Sequence, residues 1–187
     1  FDKIETSIKE PVILPKTIPL DTIGEILCFA YTQIEKSNTD YKKNSAIRNA
    51  AVLELLFATG ARVAEICNLH SQDVDFIGKS VKLYGKGSKE RIIPIENNSV
   101  LTILSDYYFI YEEKISDCGY FFVNKYGKRL TEQSVRCMIN SYCKACGISL
   151  HITPHMFRHS FATLLLEQDV DIRYKKKLLG HSSITTT

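Results

Sequence analysis

Apolar residues along most of this chain recur at the three- and four-residue spacing of helices that bury one face. The densest run, residues 47–58, is apolar nearly all round, which predicts a central buried helix. Gly60 follows this run and suits the left-handed residue that ends many helices. Further helices are predicted at residues 22–35, 62–69, 99–111, 131–146 and 171–179, with another beginning at Pro154.

Polar residues mark the expected helix ends. Asp21 or Thr22 is the predicted N-cap of the first helix, and Thr131 is that of the helix over residues 131–146. Residues 37–43 are polar and are predicted to be a break between two helices. Pro154 suits the first position of the helix that it opens, where its missing N–H costs nothing.

Between residues 73 and 95 the pattern changes to short alternating runs. Residues 73–77, 80–84 and 90–95 are predicted to form a small antiparallel sheet, with a glycine-containing turn between the last two strands. Pro94 cannot donate a ladder hydrogen bond, which places its strand at an edge. The predicted fold class is therefore mainly α with a small antiparallel β-sheet (α+β).

Residues 1–18 show no period and contain Pro11 and Pro15, so they are expected to be a linker, with the domain over residues 19–187. The start at Phe1 favours a fragment of a longer protein. The first residues lack the pattern of a signal peptide. Apolar runs stay well short of the ~20 residues that a membrane-spanning helix needs, so no membrane partner is predicted.

Composition narrows the class of protein. Hydrophobic residues make up 44% and charged residues 24%, which excludes a disordered chain, a collagen-like repeat and a coiled coil. The formal net charge is +3, but it is unevenly divided. Residues 1–75 hold 8 Lys and Arg against 11 Asp and Glu, whereas residues 76–187 hold 16 against 10. An anionic partner is therefore expected on the second part of the chain.

The six cysteines are too few and too scattered for a disulfide framework. Cys143 and Cys146 form one CxxC pair with Cys137 and His151 nearby, which leaves a zinc site as an alternative. We prefer free thiols in a reducing cytosol, and we predict no metal and no cofactor.

Four short segments carry candidate chemistry, the last of them around His181, which directly follows the glycine expected to end a helix. His155 and Arg158 lie three residues apart in the first turn of a predicted helix, where free N–H groups favour an anion. Arg62 begins a helix directly after the buried one, and Glu65 lies one turn on. Lys86 lies in the turn Gly-Lys-Gly-Ser-Lys-Glu-Arg, which is not a P-loop because it lacks that pattern and its strand–helix context. Taken singly, the segments of His155 and of Arg62 are equally explained as a solvated helix face and a structural ion pair. The segments of Lys86 and His181 are better explained as surface positions.

Taken together and in order, Arg62, Lys86, His155, Arg158 and His181 resemble the signature of the tyrosine recombinases of the lambda-integrase and Xer-like type. The surrounding words match as well: ATGARVAEI, GKGSKERIIPI, TPHMFRHSFATLLLE and LLGHSSITTT. The resemblance covers about residues 15–187, and it implies a separate DNA-binding domain upstream of the linker. It implies a catalytic domain with that family's fold, which is similar to the catalytic core of type IB topoisomerases.

The resemblance implies DNA strand exchange through a 3′-phosphotyrosyl intermediate, without ATP or metal. Arg62 and Arg158 would bind the non-bridging oxygens of the scissile phosphate with forked donors. His155 would assist proton transfer and bind the phosphate, and His181 would donate to a phosphate oxygen.

Two further residues take supporting roles by the same resemblance. Lys86 would protonate the leaving 5′ oxygen. Glu65 would orient Arg62 and its neighbours.

One departure concerns the nucleophile. The family's tyrosine follows the histidine matched here by His181 by nine residues, whereas the chain ends six residues after it, at Thr187. Tyr174 precedes His181 and belongs to a different motif. The sequence therefore contains no residue at the expected position, which favours loss of the C-terminus over a naturally inactive relative.

The expected partner is double-stranded DNA, bound as a homotetramer by the full-length protein. A fragment of this length is expected to be monomeric. Basic residues near the motifs are expected to contact DNA without reading its sequence. A catalytically silent DNA-binding relative and a type IB topoisomerase are the alternatives. A cytoplasmic, nucleoid-associated protein of a bacterium or mobile element is expected. The predicted DNA contacts are Lys89, Arg91, Arg173, Lys175 and Lys176.

Overall fold

The computed structural model describes residues 17–85 and 90–167. Within these residues the fold is mainly helical with one small antiparallel sheet, as predicted. The helices are α1 (Leu20–Glu35), α2 (Asp40–Thr59), α3 (Val63–Cys67), α4 (Asn98–Cys118), α5 (Glu132–Ala145) and α6 (Pro154–Glu167), and the strands are β1 (Val74–Asp75), β2 (Ser80–Tyr84) and β3 (Glu90–Pro94).

Helix α2 is the centre of the fold. Its residues from Ala50 to Leu56 are almost entirely removed from solvent, and α1, α4 and α6 all pack against it. This confirms the prediction drawn from the apolar run. The helix begins earlier than expected, because the Thr39 hydroxyl accepts a hydrogen bond from the backbone N–H of Lys42 and caps it. The predicted polar break at residues 37–43 is therefore wrong in its second half.

The strands form a sheet in the order β1-β2-β3, with both pairs antiparallel. Strand β3 lies at an edge, as Pro94 predicts. Alternate residues of β3 are buried, so Arg91 and Ile93 share the inner face, opposite Leu83 and Val81. The sheet therefore directs the Arg91 side chain into the protein.

Other helix ends differ in detail from the prediction. Helix α1 begins at Leu20 after Pro19 with no side-chain cap, so neither Asp21 nor Thr22 serves as its N-cap. Helix α4 continues to Cys118, well past the predicted end at residue 111. Helix α5 has the predicted cap, Thr131, whose hydroxyl accepts from the Ser134 N–H. The predicted helix at residues 171–179 lies outside the described residues.

The start of the described chain is fastened to α6. The backbone N–H of Ile18 donates to the Ser160 hydroxyl at 2.8 Å, and the Ile18 side chain is buried in the core. The packed unit therefore includes Ile18, which the sequence pattern assigned to the linker. None of the helices in the described part of the chain has the length and apolar character to cross a membrane.

Candidate active site

The candidate site is built around the turn between α2 and α3. Gly60 ends α2 in the left-handed conformation, with φ at 57°. Its carbonyl accepts a hydrogen bond of 2.9 Å from Nη1 of Arg158, which comes from α6. Two residues after Gly60, Arg62 begins the next helix. This turn therefore brings two arginines together that are far apart in the sequence.

Glu65 organises the arginine side chains. Its Oε2 accepts the backbone N–H of Arg62 at 2.8 Å, and its Oε1 accepts Nη1 of Arg62 at 3.0 Å. Arg91 donates to both oxygens, at 2.9 Å to Oε1 and 2.6 Å to Oε2. Glu65 and Arg91 are 4% exposed, whereas Arg62 is 36% exposed. Glu65 thus holds Arg62 on its buried side, and the other side of the Arg62 side chain is open to solvent.

The charges around Glu65 do not cancel. Burial, together with the positive charges of Arg62 and Arg91, lowers the pKa of Arg158 to about 10. Because this value is far above neutral, the guanidinium stays protonated at pH 7. Burial alone would raise the pKa of the Glu65 carboxyl, but hydrogen bonds from Arg91 and the Arg62 backbone lower it below its usual range. Three arginines therefore lie around one carboxylate, and the partly exposed Arg62 is the one whose charge can meet an anion from solvent.

An open cavity of about 390 Å³ adjoins the exposed side of Arg62. Glu65 and Asn68 line it together with Tyr84 and Gly85 at the end of β2. Asn68 is itself fixed, since its side-chain oxygen accepts Nη1 of Arg129 at 2.8 Å. The cavity thus offers space for a ligand group between Arg62 and the start of the β2–β3 turn.

Apart from Arg91, the predicted site residues separate into three groups. Arg62, Glu65 and Arg158 are brought together as expected. His155 is exposed in the first turn of α6, on the helix that carries Arg158. The remaining predicted residues lie outside the described part of the chain: Lys86, Lys89, Arg173, Lys175, Lys176 and His181.

Two expectations need correction. Arg91 was predicted to contact DNA, but it is buried with its guanidinium on Glu65, so it cannot present that group to a DNA backbone. Arg158 was expected to share a face of its helix with His155, but it is 8% exposed and bonded to Gly60, whereas His155 is exposed. Both arginines turn inward because their partners lie in the interior.

Sequence reasoning missed the parts that Gly60, Asn68 and Tyr84 play. The inward position of Arg91 had a usable signal, because Arg91, Ile93 and Ile95 alternate in a predicted strand. The hydrogen bond from Arg158 to the Gly60 carbonyl had no comparable signal in the sequence. Among residues 17–85 and 90–167, no group of three or more His, Cys, Asp or Glu side chains is arranged for a metal ion.

Gly60→Ala is expected to destabilise the protein by about 2 kcal/mol or more. A left-handed residue with a Cβ costs about 1–2 kcal/mol, and here the added Cβ would also collide with the Phe161 ring. The measurement is urea unfolding. Gly147→Ala is the matched control, because Gly147 has a φ of 69° but an open space around its Cβ position. Equal losses in the two variants would contradict a role for the Phe161 contact.

Comparison with known proteins gives the chain its relatives. The sequence profile described as the phage integrase family matches residues 29–187. The chain belongs to this family. A tyrosine recombinase of Agathobacter rectalis is 54% identical over 187 residues, which cover all of this chain and 61% of that protein. The resemblance to tyrosine recombinases predicted from the spaced motifs is thereby confirmed.

Solved structures of the family share the fold. The crystal structure of XerA recombinase matches with a TM-score of 0.75 at 28% identity, covering 92% of this chain and 58% of that one. A pre-cleavage complex of XerH recombinase with its difH substrate matches with a TM-score of 0.75 at 24% identity, covering 91% and 48%. At this identity the second match shows the fold alone. The chain spans only part of that first relative's length, namely 61% of the Agathobacter rectalis protein.

Proposed function

We propose that this chain forms the catalytic core of a tyrosine site-specific recombinase, which cleaves and rejoins DNA through a 3′-phosphotyrosyl intermediate. One observation carries the proposal: Arg62 and Arg158 are fixed through Glu65 and Gly60 at the same turn, in a cluster that also contains Arg91. Membership of the phage integrase family supports it. The relative from Agathobacter rectalis is named a tyrosine recombinase, and recombination is the reaction that we propose for this cluster.

The arginine cluster suits a phosphoryl transition state. A tyrosine oxygen attacks the scissile phosphorus, and negative charge accumulates on the non-bridging oxygens. Guanidinium groups bind such oxygens with two parallel N–H donors. Arg62 and Arg158 take this role, because they are positioned before substrate arrives and lose little further freedom on binding. His155, exposed at the start of α6, is free to reach the phosphate and to assist proton transfer.

The bond that breaks joins phosphorus to the 5′ oxygen of the next nucleotide. That oxygen leaves with a proton from Lys86, and the 3′ phosphate remains on the tyrosine. The 5′ hydroxyl of a partner strand then attacks the phosphotyrosine, so that a new bond from phosphorus to the 5′ oxygen forms and the bond from phosphorus to tyrosine breaks. The hydroxyl proton passes to Lys86, and the tyrosine oxygen regains its proton with the help of His155. One phosphodiester is thus exchanged for another, and neither ATP nor a redox partner is consumed. Gly85 lies at the rim of the cavity beside Arg62, which supports the placement of Lys86 near this phosphate.

Double-stranded DNA is the proposed partner, bound by four protomers. XerH, a structural neighbour, was crystallised with its difH substrate. The remaining proposed contacts are of two kinds. His181 contacts the scissile phosphate, and the DNA backbone is contacted by Lys89, Arg173, Lys175 and Lys176. Binding is then expected to weaken steeply with salt, since each neutralised phosphate releases counterions.

The test is a covalent trap. The full reading frame that contains this sequence is incubated with nicked duplex DNA, and a protein–DNA adduct is sought on a denaturing gel. An adduct formed by the wild type and lost in Arg62→Ala supports the proposal. DNA binding without any adduct identifies a silent binding relative. Adduct formation accompanied by relaxation of supercoiled plasmid, without strand exchange, identifies a topoisomerase.

Lys86→Ala is expected to slow cleavage of ordinary DNA by a hundredfold or so, as loss of a general acid does. A substrate whose leaving 5′ oxygen is replaced by sulfur should restore the rate, because a thiolate leaves without a proton. Single-turnover cleavage of both substrates is the measurement, with Lys79→Ala as a control for loss of an exposed lysine near the sheet. Equal defects on the two substrates would remove Lys86 from the acid role.

A further inference from the structure

We propose that Arg91 is a positioning residue: it neutralises Glu65 so that Arg62 keeps its charge and donors for the scissile phosphate. This inference rests on the proposed function and deepens it. It assigns a task to a residue that touches neither the phosphate nor the nucleophile.

Arg91 and Arg62 share the hydrogen-bond acceptor positions of Glu65 unequally. Glu65 has about four acceptor positions on its two oxygens. Arg91 takes two of them with a forked pair of donors, and the Arg62 backbone N–H takes a third. The Arg62 guanidinium takes the fourth with Nη1 alone. Among the described contacts, the other donors of that guanidinium are left for a ligand.

The charges divide in the same way. Glu65 and Arg91 form a closed, buried pair whose charges cancel. The charge of Arg62, whose side chain is partly exposed, then remains for an anion. If Arg91 were neutral, the Glu65 carboxylate would be balanced by Arg62 instead. Arg62 would turn toward both carboxylate oxygens, and the cavity beside it would lose its cation.

A purely structural role explains the pair less well. Nε of Arg91 is buried and has no hydrogen-bond partner among the described residues. An unpaired buried donor costs stability, and buried ion pairs are often no more stabilising than apolar side chains of similar size. The edge strand could have been fastened to α3 by an apolar residue. The pair is therefore better explained by what it does for Arg62.

The experiment compares Arg91→Met with the double variant Arg91→Met/Glu65→Gln in the full reading frame. Methionine keeps the bulk of the buried side chain, and glutamine removes the carboxylate charge that Arg91 balances. Urea unfolding first sets a temperature at which every variant is folded. Single-turnover adduct formation is then measured at saturating DNA.

Arg91→Met is expected to slow adduct formation at least thirtyfold, by an effect of the size of losing a transition-state donor (roughly 10²-fold), while DNA affinity changes less. The double variant should regain at least tenfold of that rate, because Arg62 is no longer drawn onto a bare carboxylate. A double variant as slow as Arg91→Met, with both folded, would overturn the proposal.

A second readout separates this inference from the proposed reaction. Inorganic phosphate is titrated into the present chain, and the arginine Nε–H signals are followed by NMR. Wild type and double variant should respond at similar phosphate concentrations, and Arg91→Met only at concentrations at least tenfold higher. This result without any adduct in the first assay would sustain the role of Arg91 and reject the recombinase reaction. Equal responses in all three proteins would reject the role of Arg91, whatever the first assay gives.

Discussion

Arg158→Lys is expected to lower the rate of covalent adduct formation by a factor of 10² to 10³, which corresponds to about 3–4 kcal/mol of transition-state stabilisation. Lysine keeps the positive charge but lacks the planar fork that serves two oxygens at once. Its single ammonium cannot hold the Gly60 carbonyl and a phosphate oxygen in the way that the guanidinium can. The measurement is single-turnover cleavage of nicked DNA by the full reading frame.

The conservative change matters because Arg158 is buried. Arg158→Ala would leave the Gly60 carbonyl without this donor and open a cavity, so its loss of activity could come from unfolding. Arg136→Lys is the control: Arg136 lies on α5 in an exposed pair with Glu132 and should change neither rate nor stability. A rate for Arg158→Lys within tenfold of wild type would mean that Arg158 supports the fold and not the reaction.

Glu65→Gln is expected to reduce the free energy of unfolding by about 3–5 kcal/mol at neutral pH, as removal of one member of a buried ion pair does. The loss is large because the carboxylate faces the Arg62 and Arg91 guanidiniums, and Arg158 lies within their field. Urea unfolding measures it. Glu54→Gln is the matched control, since Glu54 is also buried but accepts only a neutral hydroxyl, that of Tyr31.

The two carboxylates should respond to pH in opposite directions. Hydrogen bonds lower the folded-state pKa of Glu65, so its contribution is present above the unfolded value of about 4.3 and is lost as pH falls through the folded pKa. Burial raises the folded-state pKa of Glu54, so its ionisation costs stability as pH rises past the unfolded value. Glu65→Gln should therefore converge on wild type in acid, and Glu54→Gln should equal or exceed wild type at neutral pH. A Glu65→Gln defect that persists unchanged in acid would contradict a role for its charge.

Local patterns predicted most of the helical framework. The apolar run of α2 and the left-handed Gly60 need only information from neighbouring residues, and both are confirmed. The extension of α4 had a signal as well, because Tyr107, Tyr111 and Ile115 continue one buried stripe at four-residue spacing. Amphiphilic tyrosines blur that stripe, since a tyrosine suits a core or a surface equally well.

The sequence was enough to predict which residues meet in the candidate site. It was not enough to predict how they are buried and bonded there. Spaced motifs identified Arg62, Glu65 and Arg158, since each motif keeps its residue types in a fixed local order. Whether an arginine is buried depends on partners from elsewhere in the chain: Arg91 is 26 residues from Glu65, and Arg158 is 98 from Gly60. A side chain that pairs with a distant carbonyl leaves no mark in its own neighbourhood.

The contact between Gly60 and α6 also bears on how the protein is made. A ribosome completes the turn after α2 long before it reaches Phe161, whose ring packs against Gly60, and Arg158, which binds the Gly60 carbonyl. Until α6 emerges, Arg158 cannot join Arg62 and Glu65 at this turn. The arginine cluster of a nascent chain is therefore incomplete until translation has passed α6.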